Sequence, residues 1–218
     1  GYSKIIENFD YFRSAINAEN FEVIQRGLSK LIFVDIALDR QKDNPQRIFE
    51  SLNSTGLELS QADLIRNYIL MGLEPKEQVR IFENYWEIIE NNAKIENSHE
   101  SKVSELIRDY LTLINKKIPN KSKVYEEFKV RFKNRDESFY STTLQTIKQY
   151  SIIYNKFLNP QNEQDREIRN ELRSIKQMEI NVSYPFLMPV YHDYSNQKID
   201  TPILCSPKEE IFHSKIKC

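Results

Sequence analysis

Glycine is scarce in this sequence, at 4 of 218 residues. That scarcity argues against glycine-rich loop folds and for helices joined by short turns. Cysteine is nearly missing as well. Cys205 and Cys218 both sit near the end; they could pair or stay free, but they make no disulfide framework, which suits a reducing cytoplasm. His99, His192 and His213 are scattered and none has a second ligand at zinc spacing, so no metal site is expected. No run approaches the roughly 18 apolar residues of a membrane span, and Gly1-Tyr2 does not open a signal peptide. A cytoplasmic protein without a membrane partner is therefore expected. Charge of one sign is missing too: the formal net charge is −1, so any attraction to nucleic acid must come from a local patch.

What is present is helical periodicity. Residues 4–17 set Ile5, Ile6, Phe9, Phe12 and Ile16 on one face, and Asn20 is placed to cap a second helix with Phe21, Ile24, Leu28 and Leu31 inward. Leu31–Leu38 (LIFVDIAL) is short and rich in β-branched residues, and reads as a single strand. A lone strand needs neighbours, supplied by an upstream sheet or by another copy of the chain in a homo-oligomer. The alternative is that residues 20–38 run on as one helix.

Residues 44–73, NPQRIFESLNSTGLELSQADLIRNYILMGL, organise the rest. Asn44 and Pro45 start one helix and Gly56 ends it, where a left-handed residue is cheapest. Ser60 followed by Asp63 is a variant capping box opening a second helix, with Leu64, Ile65, Tyr68, Ile69 and Leu73 as its stripe. Pro75–Asn92 should follow as a helix burying Val79, Phe82, Tyr85, Trp86 and Ile89. Later helices should bury Val103, Leu106, Ile107, Tyr110, Leu111 and Ile114; Val124, Tyr125, Phe128 and Phe132 after a Ser122 cap; and Phe139, Leu144, Ile147, Tyr150, Ile153, Tyr154 and Phe157. Asn162–Ile180 is charged, with a thin seam of Ile168, Leu172, Ile175 and Met178. Val182–Tyr194 is split by Pro185 and Pro189 into two short helices or one kinked one.

FESLNSTGLELSQADLIRNYILM, residues 49–71, closely resembles a signature of the GmrSD-type restriction endonuclease family, in its N-terminal, GmrS-like domain. The resemblance runs from about Tyr11 through INVSYPFLMPVYHDY, Ile180–Tyr194. It implies a prokaryotic anti-phage defence protein acting on modified foreign DNA, with a ParB/sulfiredoxin-like nucleotide-hydrolysing domain followed by a His-Asn-His nuclease. Neither the family's D-G-Q-Q-R run nor its nuclease motif occurs among these residues. The chain is therefore expected to be a fragment, inactive alone, with no cofactor of its own; an NTP and a divalent metal would belong to the full-length protein. Its partners would be the upstream and downstream domains and, through the whole protein, DNA.

Two stretches carry candidate chemistry. Around the turn, Asn53, Ser54, Thr55 and Gly56, with Ser60 and Arg66 on the following helix, could line a nucleotide pocket, because free N–H groups at a helix start favour phosphate. The plain alternative is a helix–turn–helix joint in which the same groups are caps, with Arg66 resting in water. Lys116, Lys117, Lys121, Lys123, Lys129, Arg131, Lys133 and Arg135 give residues 116–135 a local charge of +6, a candidate nucleic-acid face. The plain alternative there is a solvated helix face. No catalytic group stands out: neither cysteine has a strongly cationic context, and His192-Asp193 is a sequence neighbour pair rather than a facing one.

The fold expected is mainly α, a multi-helix bundle with at most one short strand left from an upstream ParB-like domain. Residues 1–73 would complete that domain, 74–199 would form a helical linker bundle, and 200–218 a poorly ordered or atypical tail. Three functions compete: a coupling region of a GmrSD-type nuclease, a non-catalytic helical module whose 116–135 face binds nucleic acid or a protein, and a self-contained nucleotide-binding protein built around Asn53–Asp63.

Overall fold

The structure is a computed structural model that describes residues 4–33, 59–98 and 100–199. It is mainly α-helical. The chain divides into two compact units, Gly1–Asp43 and Asn44–Cys218.

In the first unit, α1 (Lys4–Ala15) and α2 (Phe21–Leu28) are joined by a turn. Asn20 holds that turn rather than capping α2: its amide donates to the Ala15 carbonyl (2.8 Å) and its oxygen accepts from the Asn17 N–H (2.9 Å). Apart from the half-buried Ile24, the apolar residues expected inward are on the surface, with Ile5 81% and Phe9 62% exposed, and Phe12, Phe21, Leu28 and Leu31 also exposed. Among the described residues of this unit, these two short helices have no further element to cover their apolar stripes. Helix α2 stops at Leu28, so residues 20–38 are not one helix. Leu31–Phe33 have no regular structure, and the rest of the expected strand, like Asn44–Gly56, lies outside the described residues.

The second unit is a helical bundle. Its elements are α3 (Gln61–Leu70), α4 (Pro75–Ile81), a π-turn (Phe82–Trp86), α5 (Glu87–Asn92), α6 (Val103–Asn115), α7 (Val124–Arg131), a second π-turn (Phe139–Leu144), α8 (Gln145–Leu158), α9 (Arg166–Gln177) and α10 (Tyr184–Ser195). Helix α8 is the axis, packed against α5, α6, α9 and α10, while α3 lies on α6 and α7. Trp86, Phe128, Phe157, Tyr191, Leu106 and Leu144 are among the fully buried side chains. Burying each one fully contributes about 1.5–3 kcal/mol relative to leaving it exposed.

The two π-turns shift the register of the buried stripe. A π-turn takes one residue more than an α-turn, so positions five apart share a face. Ile81 and Trp86 are both fully buried, and in the second π-turn Phe139 is buried and Leu144 fully buried. Val79, expected inward on an unbroken α-period, is 54% exposed instead. Lys148 Nζ donates to the carbonyl of Asn84, in the first π-turn (3.0 Å). Asn120, not Ser122, caps the entry to α7: its side chain accepts from the Ser122 N–H (3.1 Å). Met178, at the end of the charged seam, is exposed, whereas Ile168 and Leu172 are buried. Residues Tyr184–Ser195 form one helix with Pro189 inside it, preceded by a short turn at Asn181–Ser183.

Candidate functional site

The joint entering α3 is tied down at both ends. At its start the Ser60 oxygen accepts from the Asp63 N–H (3.1 Å), and the Ser60 hydroxyl donates to the Asp63 carboxylate (2.7 Å). The Ala62 N–H donates to Ser104 Oγ (3.1 Å), and Gln61 Oε1 accepts from the Tyr125 N–H (2.8 Å). Two of the N–H groups that would meet a phosphate therefore already have protein acceptors. Arg66 does not rest in water. It sits between Asp63 Oδ1 (2.9 Å) and Glu90 Oε1 (3.1 Å), and Glu90 Oε1 also accepts from Trp86 Nε1 (2.6 Å).

At the other end of α3, the Tyr68 hydroxyl donates to the Phe132 carbonyl (2.9 Å) and the Tyr140 hydroxyl to the Ile69 carbonyl (3.2 Å). Arg135 donates to the carbonyls of Tyr68 and Met71 and lies over the Tyr68 ring, 4.6 Å from its centroid. Each free carbonyl at a helix C-terminus favours such a cation. Of the sequence candidates at this joint, Ser60 and Arg66 are both engaged in the packing of α3. Asn53, Ser54, Thr55 and Gly56 lie outside the described residues.

The basic stretch splits into groups. Arg135 is turned into the α3 joint, and Lys129 pairs with Glu126 (3.5 Å) while lying over the Tyr125 ring. Lys116, Lys117, Lys121 and Lys123 are exposed on the connection from α6 to α7. Arg131 and Lys133, also exposed, border an open cleft of about 280 Å³ with Asn134, Asp136, Ser138 and Thr143. Asp136 there accepts from Ser138 Oγ (2.7 Å) and the Phe139 N–H (3.0 Å), which hold its carboxyl below the usual carboxylate range.

Two buried polar groupings escaped the sequence reading. Asp109, 8% exposed on α6, accepts from the Tyr154 hydroxyl (3.0 Å). Burial pushes its carboxyl up to about 7, against the lowering pull of that hydrogen bond and of Arg108. Glu163 accepts from the Tyr191 hydroxyl and pairs with Lys156 Nζ (3.2 Å), which also donates to Tyr191 (2.7 Å). Burial opposes the Glu163 charge, but these donors and the Asp165 N–H prevail and its carboxyl is lowered. The cavity beside Tyr191 measures about 20 Å³ and is mainly apolar, and the network fastens α8 to α10 through Lys156 and Tyr191. Partners 28 and 45 residues apart leave no local sequence signal. Among the described residues, no group of three His, Cys, Asp or Glu side chains could hold a metal, and no helix is long and apolar enough to cross a membrane.

The geometry defines a helical scaffold that integrates one incoming helix, α3, through polar ties at both of its ends. Residues 2–70, the segment that ends with that helix, match the family model of the GmrSD restriction endonuclease, N-terminal domain. No curated protein and no solved structure matches the chain. The signature at residues 49–71 thus lies within the matched segment up to Leu70, and Ile180–Tyr194 lies outside it.

Proposed function

We propose that this chain is the part of a GmrSD-type, modification-dependent restriction endonuclease that couples its nucleotide-hydrolysing domain to its His-Asn-His nuclease. The reading rests on one observation. Helix α3 closes the family-matched segment 2–70, yet its Ile65 and Ile69 are fully buried in the bundle of residues 59–199. A helix shared in this way cannot shift at one end without moving packed neighbours at the other, because close-packed cores respond in discrete steps. In this proposal residues 1–73 complete the N-terminal domain, 74–199 form the coupling bundle, and the nucleotide and divalent metal act in the whole protein inside the cell. The turn Asn53–Gly56 is proposed to face the nucleotide, with Ser60 and Arg66 fixing the helix behind it.

The test needs the gene and the whole protein. Flanking sequence should hold D-G-Q-Q-R upstream and a His-Asn-His pair downstream; if both are missing, the proposal has no basis. In the whole protein, Arg135→Ala should leave nucleotide hydrolysis intact and lower DNA cleavage about tenfold, the scale of a 1–2 kcal/mol loss of coupling. Unchanged cleavage by a folded variant would refute the coupling role.

A further inference from the structure

The connection between α6 and α7 reads N-K-K-I-P-N-K-S-K, Asn115–Lys123. We infer that Lys116, Lys117, Lys121 and Lys123 on this rigid connection form a contact site for the phosphate backbone of duplex nucleic acid, blind to sequence and to base modification.

Three observations carry this. All four side chains are exposed, and among the described residues none of their ammonium groups has an ion-pair or hydrogen-bond partner. No Asp or Glu occurs from Tyr110 through Tyr125. Several other surface cations sit beside acids, among them Arg80 with Glu77, Lys102 with Glu100 and Glu105, and Lys198 with Asp193, and Arg166 has Asp165 and Glu167 as its chain neighbours. Four unpaired positive charges within eight residues are a local field that the net charge of −1 conceals.

The connection is also held in shape. Arg108 Nε donates to the Pro119 carbonyl (2.8 Å), Pro119 is buried, and Asn120 accepts from both the N–H and the hydroxyl of Ser122 (3.1 Å each). Lys116 closes α6 in the left-handed conformation, at φ 53°. The lysines thus project from a backbone that needs no ordering on binding, which lowers the entropic cost of association.

The side-chain types choose the ligand. Base edges are read chiefly by side chains of a helix or β-ribbon seated in the major groove, which a short connection between helices does not supply, and single strands by exposed aromatic rings. Arg108, the arginine nearest this connection in sequence, is committed to Pro119, and the flanking Tyr110 and Tyr125 are 6% and 4% exposed. Lysine ammonium groups alone act as point charges for phosphate. One exposed apolar residue, Ile118, is too little to insert into a lipid surface. Arg131, the last residue of α7, and Lys133 just after it lie at the far end of that helix, near the exposed Asp136 and Glu137 in sequence, and are not part of this site.

This site is independent of the coupling reading, and its test uses the 218-residue chain itself. Fluorescence anisotropy with a labelled duplex of about 30 base pairs, unmodified or carrying modified cytosine, is measured against salt. Four neutralised phosphates predict a log–log slope of about −3.6, and so roughly 100-fold weaker binding between 50 and 200 mM salt. Replacing all four lysines by glutamine should flatten the slope toward zero, with the circular dichroism unchanged. The control replaces Lys76, Arg166, Arg169 and Arg173 by glutamine, an equal loss of charge, and should keep the slope. The inference is overturned by any of four results: no duplex binding at 50 mM salt, an unchanged slope in the four-lysine variant, an equal loss in the control, or binding to anionic phosphatidylserine vesicles but not to DNA. A preference for modified duplex would overturn its blindness to modification. Loss of DNA binding here with normal coupling in the whole protein, or the reverse, tells the two proposals apart.

Discussion

Helices α1 and α3 lie in the same family-matched segment and both carry an apolar face, yet they meet different fates. On α3, Ile65 and Ile69 are fully buried and both helix ends are tied by polar side chains from far along the chain. On α1, Ile5, Phe9 and Phe12 are each more than half exposed. An amphipathic pattern therefore states that a helix needs a covering surface and says nothing about where that surface resides. The position of the buried contacts, not the strength of the pattern, decides how much a residue stabilises the chain.

The sharpest way to break this comparison is to truncate one ring on each side of it. Phe128 is fully buried, with the Phe132 ring at 4.9 Å and the Phe139 ring at 6.3 Å. Phe128→Ala should cost the bundle about 3–5 kcal/mol in urea unfolding. Phe9→Ala should cost less than about 0.5 kcal/mol, as an exposed truncation does. Equal losses would mean that the α1 face is covered in solution, and the contrast between the two helices would fall.

A second test stays inside the bundle and uses pH. The Asp109 carboxyl titrates near 7 in the folded protein because burial disfavours its charge, against an unperturbed 3.8. Between those values the folded state holds one proton more than the unfolded state, so stability falls as pH rises from about 4 to about 7. Asp109→Asn keeps an acceptor for Tyr154 and removes the ionisation. It should be nearly neutral at the acid end and stabilising, on the order of a few kcal/mol, above pH 7. Glu163, whose carboxyl is lowered, works in the opposite sense and is lost as pH falls. Subtracting wild type from variant isolates Asp109, and a difference that does not change with pH would show that its environment is wetter than this geometry implies.

Most helix positions were legible because apolar spacing near 3.6 residues survives in α3, α6 and α8. Trp86 was expected buried and is fully buried. Where the reading slipped, the cause is local geometry or distant partners. At Val79 and Ile81 the π-turn changed the period, and sequence carries no mark of that turn. At Asn20 the side chain had two local options and took the turn over the cap. The ties made by Arg135, Glu90 and Tyr154 join residues 24 to 67 positions apart, where only the fold decides who meets whom. Within the candidate site, the Ser60–Asp63 cap was readable, whereas the acid partner of Arg66 across the bundle was not.

The smallest test compares two caps that look alike in sequence. Ser60 accepts from the Asp63 N–H and starts a helix that the core holds on one face, so the lost hydrogen bond falls within the cooperative unit. Asn20 makes no side-chain cap to α2 and spends its amide on the turn after Ala15. Ser60→Ala should lower the unfolding free energy of the bundle by about 1 kcal/mol. Asn20→Ala should leave the bundle transition in place, within about 0.5 kcal/mol, and only loosen the α1–α2 turn. Hydrogen exchange at Asn17 and Glu19, whose N–H groups are bonded to the side chains of Asn20 and Asn17, would report that loosening. If Asn20→Ala moved the bundle midpoint as far as Ser60→Ala does, the two units would unfold as one, and the difference drawn between α1 and α3 would be one of packing alone rather than of cooperativity.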